Sequence, residues 1–246
     1  MRSSVLWAGS DHWDLFVGRD SLGYAQLGAM PTWHPHQNLH ASLADVLRTI
    51  QMQRSGWRRP RVRLWLSGAL ARPFVLVRPV GIKSDAELKL LAQAQAGRIT
   101  DLLGPAALWL SNPGKSGLTL VAAMDLAVRD ALVEAASKAG VRLQSMRPLW
   151  ASLLNEVVST TSSVQLLAAE DPDALTVIVS QDEQWVTADS YVPRPEQAPR
   201  QALVARRMIA ANVPVEAAVF VSGAVGAAAA AANTWLAAQW TAAEPR

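Results

Sequence analysis

A short apolar strand closing on Ser-Gly-Ala occurs twice in this chain of 246 residues, once in each half. The first copy is Leu64-Trp65-Leu66-Ser67-Gly68-Ala69-Leu70 and the second is Val219-Phe220-Val221-Ser222-Gly223-Ala224-Val225. Each joins a β-prone run to a glycine that permits a tight turn, and then to more apolar sequence. Matching strand ends in the two halves point to a two-lobed α/β fold built from related units.

The order of elements around the two copies carries this further. In the first half, Val5–Trp7, Leu15–Val17 and Tyr24–Leu27 read as a three-strand meander, and a loop with Pro31 and Pro35 follows. Ser42 is placed to cap a helix whose Leu43, Val46, Leu47 and Ile50 keep helical spacing, and strand Val62–Leu66 completes the unit. In the second half, Val164–Ala168, Ala174–Ser180 and Trp185–Ser190 form another meander. A Pro-rich loop, a helix from about Arg200 to Ala211, strand Val219–Val221 and an Ala-rich helix follow it. Three strands, a helix and a strand ending in Ser-Gly-Ala describe both halves.

Between them lies a different order. Phe74–Val77 is a strand, and Ser84 with Glu87 makes a capping-box start for a helix reaching about Gly97. Strands Ala107–Leu110 and Leu118–Ala122 are joined by Asn112-Pro113-Gly114. Asp125 caps a helix that Gly140 terminates, and Val141–Ser145 is a last strand. The order β-α-β-β-α-β is that of a ferredoxin-like unit. The expected division is a first half over 1–69, an inserted βαββαβ unit over 70–146, and a shortened second half over 147–246, which Pro148 opens with a helix.

Half of the residues are apolar and 17% are charged, so the chain folds around a core. It has no cysteine, which excludes disulfides, thiolate metal sites and cysteine nucleophiles. The start meets Asp11 and Asp14 too early for a signal peptide, and the chain reads as cytoplasmic. The uncharged stretch from Ala217 to Ala243 is long enough to span a bilayer, but it is mostly Ala and Gly. Gly223 and Gly226 divide it into a buried strand and helix. Trp235 and Trp240 lie in that tail.

Candidate chemistry is sparse. Gly114-Lys115-Ser116 has Trp109 where a phosphate loop needs its first glycine, and a strand follows it, so it reads as a hairpin turn. His12, His34, His36 and His40 are clustered without a carboxylate between Pro31 and Leu43 and read as a solvated loop, with no metal expected. Asp171 and Asp173 flank Pro172 in what reads as a solvated acidic turn. No Gly-x-Ser-x-Gly elbow appears, and no catalytic triad can be assembled. The run Arg54-Ser55-Gly56-Trp57-Arg58-Arg59-Pro60-Arg61 reads first as a solvated turn, then as a contact for protein or anionic lipid, and last as a nucleic-acid patch.

This order of elements resembles the actin-like fold of bacterial assembly proteins. It is most similar to the PilM-type pilus proteins and the cytoplasmic part of GspL-type secretion proteins. The stretch Leu118–Trp150 is similar to that family's text, and the family carries a small subdomain inserted near residues 70–146. The resemblance implies an Asp-x-Gly phosphate turn after the first strand of each half. The matching text is Trp7-Ala8-Gly9-Ser10 and Leu167-Ala168-Ala169-Glu170, without the acid, and Gly223 is followed by Ala224 where a glycine pair is expected. Phosphoryl transfer needs a carboxylate for its metal. The expectation is therefore a non-catalytic scaffold with a vestigial cleft at Gly9, Ser10 and Gly223 and no cofactor. Its expected partner is the cytoplasmic tail of an inner-membrane assembly protein or a secretion ATPase, bound near Arg72, Phe74, Leu88 and Leu91, with room for a homodimer. The alternatives are an ATPase or sugar-kinase-like enzyme of the same fold, and a nucleic-acid-binding protein using the Arg54–Arg63 basic turn.

Overall fold

A computed structural model describes residues 11–222, apart from 28, 30, 55–56, 83, 100–101, 103, 112–116, 161–164, 182–183, 193–199 and 215–216. The strand expected at Val5–Trp7, the Ala-rich last helix, Gly9, Ser10, Gly223, Trp235 and Trp240 lie outside the described residues. Among the described residues, no helix is long and apolar enough to cross a membrane.

The first half begins with β1 (His12–Val17), β2 (Ser21–Gln26) and β3 (Thr32–Pro35), followed by α1 (Leu39–Met52) and β4 (Arg61–Leu66). The meander is thus set later than the sequence indicated, with a strand inside the expected Pro31–Pro35 loop. Two polar residues in β1 disguise it. Asp14 is buried, accepting from Arg63 Nε and Nη2 at 2.7 Å each and from Trp65 Nε1 at 2.9 Å. A buried charge held by this many donors is tolerated inside a strand. Helix α1 is capped four residues before Ser42, by Asn38, whose side chain accepts from Ala41 N at 3.2 Å. Its buried face is Leu43, Val46, Leu47 and Ile50, as the spacing predicts.

The inserted unit consists of β5 (Arg72–Val77), α2 (Asp85–Ile99), β6 (Ala106–Leu110) and β7 (Leu118–Asp125), with the sheet order β5-β7-β6. The capping box is formed: Ser84 N donates to Glu87 Oε2 at 3.1 Å and Glu87 N to Ser84 Oγ at 3.2 Å. The chain then runs through α3 (Leu126–Lys138), capped by Asp125, and β8 (Arg142–Pro148). The βαββαβ order is present, but β8 pairs parallel with β4 and so extends the first sheet to β3-β2-β1-β4-β8. Helix α3 packs beside α1 against that same sheet. By sheet membership the insertion therefore closes at β7 rather than at 146.

Helix α4 (Leu149–Thr160) links the halves. Its Trp150, Leu154 and Val157 pack between Leu120 and Ala122 of β7 and the second sheet's Leu167, Ile178 and Val221. The second half is β9 (Leu166–Glu170), β10 (Leu175–Gln181), β11 (Gln184–Tyr191), α5 (Arg200–Ala211) and β12 (Ala218–Ser222). Its sheet order, β11-β10-β9-β12, repeats β3-β2-β1-β4 element for element. The strands of the sequence echo, β4 and β12, occupy corresponding places, each parallel to its hairpin's first strand. Their registers differ by one residue. Leu66 lies level with Val17 and Ser222 with Glu170, so Ser222 matches Leu66 rather than Ser67.

Candidate functional site

The two halves meet where their first hairpins turn. Val17 pairs with Leu22 across one hairpin and Glu170 with Leu175 across the other. Each four-residue turn closes with the same bond, Gly18 N to Ser21 O at 2.8 Å and Asp171 N to Ala174 O at 2.9 Å. Gly18 therefore corresponds to Asp171, and Asp20 to Asp173.

These matched turns differ in chemistry. Asp173 accepts from Asp20 N at 3.1 Å and from Ser21 Oγ at 2.8 Å. Asp171 reaches the Ser-Gly-Ala turn after β4, where Ser67 Oγ donates to it at 2.8 Å and Gly68 N at 2.9 Å. The N–H groups of Asp173 and Ala174 donate to it as well, each at 2.9 Å. Both acids are buried, so the expected solvated turn is corrected: its carboxylates are buried because the opposite half supplies their donors. Burial pushes the Asp171 carboxyl up from 3.8 to about 6, against the pull of the four donors.

The approach is close enough to exclude side chains. A Cβ on Gly18 would come within 1.8 Å of Asp173 Oδ2, and one on Gly68 within 2.2 Å of Thr176 Oγ1. Nearby, His36 is buried rather than solvated, its Nε2 lying 3.4 Å from Gly18 O. His34 stacks on Tyr24, and His12 and His40 lie on β1 and α1. Among the described residues no three His, Cys, Asp or Glu side chains are grouped to hold a metal.

A second feature lies between the first half and the insertion. Strands β6 and β8 are both sheet edges, and Trp109 of β6 donates from Nε1 to Met146 O of β8 at 3.0 Å. On one side of Trp109 is a groove of about 240 Å³ floored by Leu108, Leu143 and Met146 and walled by Arg129 and Val133 of α3. On the other side, another of about 240 Å³ runs past Leu110, Arg147, Pro148 and Asn155. Val133 is 45% exposed at the mouth of the first. The residues expected to form such a groove sit elsewhere. Phe74 and Leu88 lie with partly buried Leu91 in the core of the inserted unit, and Arg72 stands half-buried at the start of β5. The Gly-Lys-Ser stretch falls among residues 112–116, outside those described, between the antiparallel strands β6 and β7.

No protein-family model matches the chain, and no curated protein matches it. Solved structures do. One is a PilM–PilN type IV pilus biogenesis complex, at 13% identity and a TM-score of 0.53, covering 85% of this chain and 68% of that one. Another is a Bacteroides thetaiotaomicron protein of actin-like ATPase fold and unknown function, at 13% identity and 0.52, with 94% and 87% covered. A third is the cytoplasmic domain of EpsL, an inner-membrane component of the Vibrio cholerae type II secretion system, at 10% identity and 0.50, with 87% and 82% covered.

The fold is actin-like.

In actin-like terms, the turns after the first strands of the two halves are Gly18–Ser21 and Asp171–Ala174. Of the stretches singled out from sequence, Leu167–Glu170 belongs to strand β9 itself, and Trp7–Ser10 lies outside the described residues. Read as Asp-x-Gly, the first actin-like turn is Phe16-Val17-Gly18, with buried Phe16 at the acid position. The second is Ala169-Glu170-Asp171, with Ala169 at the acid position and a carboxylate where the pattern has glycine. The signal that finds these turns is the hairpin register, and the strand end expected at Ala168 falls inside β9.

Proposed function

We propose that this chain is a non-catalytic actin-like scaffold of an inner-membrane assembly platform of the type IV pilus or type II secretion kind. The observation that carries the non-catalytic part is the seating of Asp171 and Asp173. The donors that the first half turns toward the junction, Asp20 N, Ser21 Oγ, Ser67 Oγ and Gly68 N, are taken by carboxylates of the second half. A phosphate needs such donors free and a carboxylate free to hold its metal. Here the acids are spent as acceptors within the protein. The assembly part is supported by the fold's likeness to a PilM–PilN complex and to a cytoplasmic domain of a secretion-system component.

The partner-binding surface in this reading is the groove along β6, α3 and β8, with Val133 and Arg129 at its wall. A short extended segment bearing apolar side chains fits such a groove, beside two strand edges that offer backbone partners.

Two measurements test the proposal. A thermal-shift titration with Mg-ATP is expected to be flat, whereas a saturable, magnesium-dependent rise would overturn the non-catalytic reading. A photo-crosslinking residue at Val133 is expected to capture a cytoplasmic segment of an inner-membrane protein in cells, and the same group at exposed Ile209 of α5 is not. Equal capture at both positions, or none at Val133, would sink the groove assignment.

A further inference from the structure

We propose that the end of the first half farthest from the lobe junction docks directly onto an anionic bilayer surface. The junction lies at the C-terminal ends of β1 and β4, where Ser67 N donates to Val17 O. At the opposite end of the same sheet the chain runs from Met52, at the end of α1, to Arg61, at the start of β4. Trp57 in that turn is fully exposed and Met52 is 74% exposed. One exposed tryptophan is ordinary on a protein surface, but exposed apolar side chains gathered in one patch mark a contact surface.

The same end gathers more apolar and basic groups. Leu27, 51% exposed, donates from its backbone to His12 O, and His12 is level with Arg61 on the neighbouring strand. Two strand spacings therefore separate Leu27 from Arg61, about 10 Å. On the other side, Arg142 N donates to Pro60 O at 2.7 Å, which sets Arg142 beside the turn. Arg54, Arg58, Arg59 and Arg142 are all exposed, and among the described residues none of their guanidinium groups has an ion pair or hydrogen bond. Asp11 sits at this end too, its backbone oxygen accepting from Arg61 N.

Four unpaired guanidinium groups around an exposed Trp, Met and Leu match the chemistry of a headgroup layer. Arginines pair with lipid phosphates, tryptophan sits at the level of the headgroups, and the aliphatic side chains enter the acyl boundary. A nucleic acid would use the arginines and stack on Trp57, but it has no use for Leu27 and Met52, which present no π-face. The composition therefore favours lipid. Such a contact would hold the scaffold at the membrane without any partner, so its test is independent of the groove.

The test is flotation of the whole chain with vesicles of phosphatidylcholine, with or without one-third phosphatidylglycerol. Binding is expected only to the anionic vesicles and is expected to fall with added salt. Arg58→Gln and Arg59→Gln should each weaken it about fivefold, and Arg54→Gln added to both should bring the loss to about a hundredfold. Trp57→Ala should weaken it at constant charge, while Arg206→Gln, at an exposed position of α5, should change nothing. All five positions are exposed, and an unchanged melting temperature checks that each variant is folded. Equal flotation with neutral vesicles, no flotation with either, or an equal loss from Arg206→Gln would overturn the proposal. So would tighter binding to a single-stranded oligonucleotide than to the anionic vesicles at the same salt, which would reassign the patch to nucleic acid.

Discussion

The β1–β2 turn and the β9–β10 turn have the same length, the same closing hydrogen bond and the same place in their sheets, yet they do opposite things. The first presents donors, Asp20 N and Ser21 Oγ, beside a glycine with no room for a side chain. The second presents acceptors, Asp171 and Asp173, the first of them at the position that corresponds to that glycine. The carboxylates of the second half take the donors of the first, and the two halves satisfy each other.

The sharpest way to break this complementarity is Asp171→Ala. It leaves the buried N–H groups of Gly68, Asp173 and Ala174 and the Ser67 hydroxyl without their acceptor. The expected loss is about 4 kcal/mol of stability, read as a lower denaturation midpoint. A change below about 1 kcal/mol would mean that the two turns are neighbours without being partners.

Next in size is the pH response of the same group. The native protein holds the Asp171 proton more tightly than the unfolded chain does, because its carboxyl titrates at about 6 instead of 3.8. This contribution to stability is fully present below the unfolded value and is lost as pH rises through about 6; the span corresponds to about 3 kcal/mol. Subtracting the stability curve of Asp171→Asn from that of the parent should isolate a fall across that window. A flat difference would show that the four donors, not burial, set the ionisation.

Asp173→Ala removes two bonds at the rim of the junction and should cost about 1–2 kcal/mol. Smallest is Val133→Asp in the partner groove, expected to leave stability within about 0.5 kcal/mol while abolishing crosslinking to a partner. A large destabilisation there would mark Val133 as part of the fold.

Much of the architecture was legible in the sequence. The capping box at Ser84 and Glu87, the inward face of α1 and the three strands of the second half depend on short-range patterns, and these survive folding unchanged. What escaped depends on distant partners. Strand β1 was obscured because His12 and Asp14 look like loop residues until Arg63 and Trp65 are brought alongside. Asp171 and Asp173 looked solvated because the donors that the first half supplies lie more than a hundred residues away in sequence. Phe74 and Leu88 were legible and misassigned. Alternation along β5 turns Phe74 and Leu76 inward together, and Leu88 meets them from α2.

That β8 belongs to the first sheet has a consequence for how the protein is made. Strand β4 emerges from the ribosome long before the strand that covers its open edge, with the whole inserted unit coming between them. At about 5–20 residues per second, that edge waits about 4–15 seconds for β8. The inserted unit, contiguous and with its own core, has time to fold in the interval. On the nascent chain the later-born piece finishes first, and the half that begins the sequence is completed around it.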